Sequence, residues 1–172
     1  MTRKDSASSD IELVVSCVRD EARIIPYVVH RGTASLFCFR RSDQSILLVR
    51  QFRAVCGIAL WEVPSGMVES GETPAGTAAR ELAEETGVRA QDVRPIGTFF
   101  SSVGLTNERL WLYWTDKFEQ PEGGASGAGE FECRWIALDL AFDFLTHNGA
   151  SMPVDAKTAL GVSWLARNVG PL

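Results

Sequence analysis

The chain has 172 residues, 45% of them hydrophobic and 23% charged, with a formal net charge of -5. That composition fits one soluble domain with a proper core, and its acidic balance argues against a nucleic-acid surface, which usually carries a basic patch. No run approaches the roughly 18 apolar residues of a membrane span, and the amino terminus MTRKDSASSD lacks a secretory apolar stretch, so a cytoplasmic protein without membrane or nucleic-acid partners is expected.

Residues 1–9 are polar and small and read as a disordered tail. Residues 10–31 hold two expected strands, Ile11 to Val18 and Ala22 to His30, joined at Arg19, Asp20 and Glu21; residues 32–172 form the main domain. Ala34 to Arg40 alternates, and Ser45 to Phe52 is a nearly continuous apolar strand. Ala59 to Val63 leads into a turn at Pro64, Ser65 and Gly66. A helix follows from Thr73, whose hydroxyl suits an N-cap and whose successor Pro74 tolerates the first helical position; Gly87 fits its left-handed stop. Val93 to Ser102 and Arg109 to Phe118 read as strands, with Trp111 and Trp114 as packing residues. Of Phe99 and Phe100, alternation lets only one point inward. Gln120 to Glu130 has four glycines and reads as a mobile loop, not a P-loop, because no Gly-Lys-Ser/Thr follows. Phe131 to Ala137 is a further strand; Asp139 to His147 and Asp155 to Asn168 are helices, each opened by an aspartate cap. Strands thus dominate over three helices, which predicts an α+β (mixed α/β) sandwich with helices packed on a curved mixed sheet.

Cys17, Cys38, Cys56 and Cys133 are scattered, with no CxxC and no histidine pair, so buried reduced thiols are expected for most of them. His30 ends an apolar run and His147 closes a helix; neither is expected to be catalytic.

The chemistry concentrates in GMVESGETPAGTAARELAEETGV, Gly66 to Val88. Ala78 and Leu82 lie one turn apart on an inner face, while Glu81, Glu84 and Glu85 at offsets of three and four turn toward one side. Like charges at that spacing repel, and a hard cation such as Mg²⁺ removes the conflict while leaving positions open for water and phosphate. Arg80 can pair with Glu84 or reach back to Glu72 and hold the preceding loop against the helix.

Five residues separate Gly66 from Glu72 and seven more separate Glu72 from Arg80, followed by Glu81, Leu82, Glu84, Glu85, Gly87 and Val88. This pattern resembles the box of the Nudix hydrolases at every defined position. Outside it, Leu47 to Arg53 (LLVRQFR), Trp61 to Glu72, Ser101 to Glu108 (SSVGLTNE) and Asp155 to Ala166 resemble segments of the ADP-ribose and nucleotide-sugar pyrophosphatases of that family.

The resemblance implies the Nudix sandwich and metal-dependent hydrolysis between the two phosphorus atoms of a nucleoside diphosphate joined to a sugar. ADP-ribose would give AMP and ribose 5-phosphate. It implies Glu81 and Glu85 as the main metal ligands, Glu84 close by, the backbone carbonyl of Ser65 as a further donor, and Mg²⁺ as the metal, with Mn²⁺ as a substitute. Glu108 is implied as the base; Glu72 braces the loop through Arg80, with occasional metal contact. Arg53, and to a lesser degree Arg50, would grip diphosphate or terminal ribose. Trp61 and Glu62 would stack on and hydrogen-bond a base or sugar, and Gly104 would belong to the substrate loop. That loop reads Ser102, Val103, Gly104, where ADP-ribose enzymes carry Ser-Pro-Gly, which leaves GDP-mannose, other nucleotide sugars and dinucleotides open. A Nudix-fold sensor that binds without cutting is the alternative class; such modules lose a metal carboxylate, and here all three glutamates stand. Relatives complete their sites across two subunits through amino-terminal strands, so residues 10–31 are expected to support a homodimer.

Overall fold

The computed structural model describes residues 15–20, 23–125, 131–146 and 154–169. The expected tail at residues 1–9, His147 and residues 126–130 of the glycine-rich loop lie outside them. Strands β1 (Val15–Asp20) and β2 (Arg23–Val28) form an antiparallel hairpin. The main sheet contains β3 (Thr33–Arg40), β4 (Ser45–Arg53), β5 (Ile58–Glu62), β6 (Ser65–Met67), β8 (Arg94–Phe100), β9 (Arg109–Thr115) and β11 (Glu132–Ala137). Its order is β11-β4-β3-β9-β8, with β5 on β4 and β6 on β3. The β3–β9 pair is parallel and its other pairs antiparallel, a mixed sheet. Two short strands, β7 (Arg89–Ala90) and β10 (Phe118–Glu119), pair separately. Helix α1 (Pro74–Thr86) covers one face of the sheet; α2 (Leu138–Thr146) and α3 (Ala156–Asn168) cover the other. The fold is the expected α+β sandwich.

Strand alternation supplies both cores. Along β3, Ala34, Leu36 and Cys38 point toward Ala78 and Leu82 of α1, while Phe37 and Phe39 point toward Val162 and Leu165 of α3. In β4, Leu47 serves the α1 side, and Ile46 and Leu48 the α3 side. Both faces of these central strands are covered, which is why Ser45 to Phe52 reads as a nearly continuous apolar run; β3, read from the sequence as alternating, is likewise buried on both faces, because the small Ala34, Ser35 and Cys38 are packed there too. Trp114 packs in the α3-side core against Trp164, their ring centroids 5.9 Å apart. Phe99 is half-buried and Phe100 exposed.

Four details depart from the sequence expectation. Ser65–Met67 is a strand rather than a turn, because its residues pair with Thr33–Ser35. The strand from Arg109 stops at Thr115, whose hydroxyl accepts the Lys117 N–H at 3.1 Å and folds the chain before Phe118. Asp139 lies inside the first turn of α2, since β11 runs into the helix at Ala137–Leu138 with no intervening cap residue. Finally, Cys38 is buried and Cys133 half-buried, but Cys17 and Cys56 are exposed, because a hairpin edge and a turn carry them.

Helix α3 sits close to the sheet because Gly161 lies directly over the buried Phe37 ring; a Cβ there would overlap the ring. The approach is reinforced by Thr158, whose Oγ1 accepts the Val63 N–H at 2.8 Å. No helix among the described residues is long and apolar enough to cross a membrane. Replacing Gly161 by Val forces either the helix or the ring to move, and overpacking of that kind costs about 1–3 kcal/mol. Urea unfolding should register that loss; an unchanged midpoint would mean that the ring has room to turn.

Candidate active site

Helix α1 is punctuated as its sequence requires. Thr73 Oγ1 accepts the Gly76 N–H at 3.1 Å, and Gly87 takes φ 73° with its N–H on the Ala83 carbonyl. With Ala78 and Leu82 fully buried against β3, the helix cannot rotate, and the azimuth of every glutamate is set.

Glu81 and Glu85, one turn apart, face strand β6. Glu85 is 9% exposed, and its Oε2 accepts the Ser65 N–H at 3.3 Å. The Glu81 carboxylate occupies the space where a side chain on Gly66 would begin. Glycine is required at 66 for that close approach, not for an unusual backbone angle. Glu84 goes elsewhere. Adjacent helical residues diverge by about 100°, so its carboxylate is turned outward and pairs with Arg80 Nη1 at 2.9 Å.

Burial, then the neighbouring charge of Glu81, pushes the Glu85 carboxyl up to about 8; burial also raises Glu81, against the pull of Arg80. Arg80 compensates the half-buried Glu81, while the carboxylate of the buried Glu85 has only the Ser65 N–H as a hydrogen-bond partner among the described residues. Among the described residues no three His, Cys, Asp or Glu side chains form a ready metal cluster. The donor set is instead two hard carboxylates beside backbone carbonyls and an open cavity. That suits a dication such as Mg²⁺, which is held by one or two carboxylates and completes its shell with water and phosphate oxygen. Glu81 and Glu85 are the side chains that could hold it.

The loop before α1 is bolted down. Arg80 Nε donates to Glu72 Oε1 at 2.8 Å and Nη2 to Oε2 at 3.1 Å, while Nη1 lies 2.8 Å from Glu81 Oε1. Thr77 Oγ1 donates to Glu72 Oε2 at 2.6 Å. Arg80, with help from Thr77, holds the Glu72 carboxyl down to about 2. Arg80 thus gathers three carboxylates and orients Glu81 from behind.

Beside β6 opens a cavity of about 650 Å³, whose wall includes Ser65 and Gly66, with Arg53, Glu62, Glu108 and Lys157 around it. Glu108 accepts a 2.6 Å hydrogen bond from Thr33 Oγ1 on its Oε1. His30 Nδ1 is 3.6 Å from the same oxygen, but it accepts the Gly32 N–H at 2.9 Å, so that nitrogen has no proton to give Glu108. Arg53 Nε and Nη2 donate to Glu62 Oε1 and Oε2 at 2.6 and 2.7 Å in a bidentate fork. Burial would raise the Glu62 carboxyl, but Arg53 and Lys157 override it and hold it low.

Not every expected substrate residue reaches this cavity. Arg50 is exposed on the β11 side, 3.4 Å from Glu132. Trp61 packs against the α3-side core, with the Arg134 guanidinium 5.2 Å from its ring centroid. Gly104 lines a separate groove of about 390 Å³ with Val18, Ile25 and Phe100. Sequence reasoning missed Thr33, Thr77 and Lys157. Thr77, five residues after Glu72, was within reach of a local reading. Lys157, 95 residues from Glu62, gives no local signal.

A glycine opposite a helical glutamate, an arginine gathering that helix's acids, and a cavity beside them are the parts of one family architecture. The NUDIX domain model matches residues 29–154. The chain belongs to the Nudix family. It is 33% identical over 136 residues to a CMP-5'-(N-acetyl-N-hydroxy-3-aminopropyl)phosphonate hydrolase of Streptomyces rubellomurinus, covering 79% of this chain and 65% of that protein. It is 30% identical over 140 residues to an ADP-ribose pyrophosphatase of Bacillus subtilis, covering 80% and 74%. A methanol dehydrogenase activator of Bacillus methanolicus is 30% identical over 141 residues, again covering 80% and 74%. The relatives that this chain resembles at this level thus carry names that differ in what they act on.

Gly66→Ala tests the carboxylate packing directly. The added methyl displaces only the flexible end of Glu81, so the thermal midpoint should move by no more than a few degrees, the equivalent of about 1 kcal/mol or less. Titration with Mn²⁺, followed by electron paramagnetic resonance, should show weakened binding. Unchanged metal affinity would dissociate Glu81 from the metal.

Proposed function

We propose that this protein hydrolyses the phosphoanhydride of a nucleoside diphosphate joined to a sugar, an ADP-ribose-like substrate, to a nucleoside monophosphate and a sugar phosphate, using Mg²⁺ or Mn²⁺. The observation that carries the proposal is the pair of carboxylates, buried Glu85 and half-buried Glu81, packed against Ser65 and Gly66, whose other side forms part of the wall of a cavity that Arg53 and Glu108 also line. A chemistry that neutralises phosphate charge and acidifies a water is what a dication supplies between such carboxylates and a diphosphate.

In this reading Glu81 and Glu85 are the ligands, with the Ser65 carbonyl beside them and Glu84 in an outer position. Glu108 takes the proton of the attacking water. Its Oε1 is occupied by Thr33, which fixes the carboxylate plane and leaves Oε2 for that proton. Arg53 presents the edge of its guanidinium not engaged by Glu62 to the diphosphate or terminal ribose. Arg80 and Glu72 keep Glu81 in place and touch no reacting atom. Val103 in the 101–108 loop keeps GDP-mannose and other nucleotide sugars within the substrate class.

The homodimer belongs to the same proposal. Exposed Val15, Val18, Ile24 and Ile25 run along the β1–β2 hairpin, and Phe100 and Val103 continue that apolar surface. Analytical ultracentrifugation should find twice the monomer mass.

Product analysis on ADP-ribose, GDP-mannose, ADP-glucose, NADH and diadenosine polyphosphates should show cleavage between phosphorus atoms for at least one nucleoside diphosphate derivative. On that substrate Glu85→Gln should cost roughly a hundredfold or more in kcat with the fold intact, the scale expected when a dication's charge stabilisation of several kcal/mol is impaired. Glu108→Gln should lower kcat with metal affinity retained. Binding of these compounds without turnover would favour a sensor over an enzyme.

A further inference from the structure

Lys157 is 7% exposed, in the second helical position of α3, with its ammonium 2.9 Å from Glu62 Oε2 and paired on its other side with Asp155. Asp155 is already engaged, since its other oxygen caps the helix by accepting the Thr158 N–H at 3.0 Å. Glu62 Oε2 accepts from both Lys157 and Arg53 Nη2. The result is an alternating row of four charges, Arg53, Glu62, Lys157 and Asp155, that sums to zero along the cavity wall.

Two observations argue that this row is more than a tie between α3 and the sheet. The helix is already fastened there by Thr158 on the Val63 N–H and by Gly161 against Phe37. A buried ammonium is also an expensive fastener, because an apolar side chain of equal size holds a helix without the desolvation cost. What the ammonium does, and an apolar group cannot, is fix the rotation of a carboxylate. That carboxylate orients Arg53, whose guanidinium is 42% exposed and whose Nη1 makes no hydrogen bond among the described residues.

We propose that Lys157 is a positioning residue: wedged between Glu62 and Asp155, it locks the Glu62 carboxylate so that Arg53 is held by one edge and offers the other to an anionic oxygen of the substrate. Lys157 acts through Glu62: two of its three N–H donors are engaged by Glu62 and Asp155. The substrate half of this inference rests on the hydrolase reading above.

Two measurements test it. In a ¹⁵N-edited spectrum of the full-length protein the Arg53 Nε–H is the side-chain signal that Arg53→Met deletes. Lys157→Met should accelerate its exchange with water at least about tenfold, as expected when a protecting hydrogen bond opens more readily. In steady-state kinetics Lys157→Met should raise KM about tenfold to a hundredfold, the worth of a hydrogen bond to a charged group, with kcat nearly unchanged. In an Arg53→Met background the same change should leave KM where it is. Equal KM penalties in both backgrounds, or an unchanged Nε–H exchange rate, overturn the inference. Wild-type protein inactive on every nucleoside diphosphate derivative overturns the functional reading instead, and the Nε–H comparison still decides whether Lys157 fixes Arg53. Should Lys157→Met not fold, Asp155→Asn, which keeps a capping oxygen while freeing one side of the lysine, makes the same comparison.

Discussion

The site is organised around a missing side chain. Because position 66 has no Cβ, the Glu81 carboxylate can lie directly on the backbone of β6. Glu85, one turn further along, then meets the Ser65 N–H. Everything else in the catalytic half serves that approach. Ala78 and Leu82 seat the helix on β3, Thr73 and Gly87 fix where it starts and stops, and the pairing of Ser65–Met67 with Thr33–Ser35 brings the glycine to it. The cost is electrostatic: burial, and then the charge of the neighbouring half-buried Glu81, pushes the Glu85 carboxyl up to about 8. Such a conflict favours a positive charge at that point.

Two arginines solve related problems at opposite ends of the site. Arg80 draws Glu72, Glu81 and Glu84 to one guanidinium, which converts a flexible acidic loop into a rigid support behind the helix. Arg53 is held by a single carboxylate, and that carboxylate is held in turn by Lys157. The contrast follows from exposure. Arg80 has its partners within one helix and the loop before it, where local chain geometry supplies orientation. Arg53 stands at the end of a strand, where only contacts between distant segments can supply it.

That same distinction decides what the sequence revealed. The α1 residues were legible because a helix converts spacing into direction. Offsets of three and four, a Thr-Pro start and a Gly stop fix the local geometry, and the Arg80–Glu72 pairing needs no tertiary information beyond a short loop. Even there, the spacing reading turned Glu84 to the same side as Glu81 and Glu85, and the structure corrects it: residues adjacent on a helix diverge by about 100°, and Glu84 is exposed on Arg80. Strand β4 was legible because burial on both faces leaves a nearly unbroken apolar run, whereas β3 was legible as a strand but not as one buried on both faces, since its small and polar residues give it an alternating look. The short strand at Ser65–Met67 was not, since a Pro-Ser-Gly start reads as a turn until its partner strand is known. Lys157 was illegible for the same reason. A lysine in the first turn of a helix ordinarily faces water, and only the packing of α3 against β5 turns this one inward.

These two kinds of construction also explain how one family frame can accommodate different substrates. The carboxylates and the arginine that gathers them lie close in sequence and depend on the rest of the chain only through the central strand β3, so changes in the outer segments leave their geometry intact. The opposite wall of the cavity is assembled from β4, β5, the segment before β9 and the start of α3, segments joined by side-chain bonds rather than by chain continuity. A substitution in any one of them can reshape what the cavity accepts without touching Glu81, Glu85 or Gly66. Val103 fits this division. It belongs to the apolar groove shared with the β1–β2 hairpin and not to the wall beside Gly66. Under the proposed function, any influence of Val103 on the substrate would pass through the loop that ends in Glu108, whose carboxylate Thr33 ties to the edge of β3.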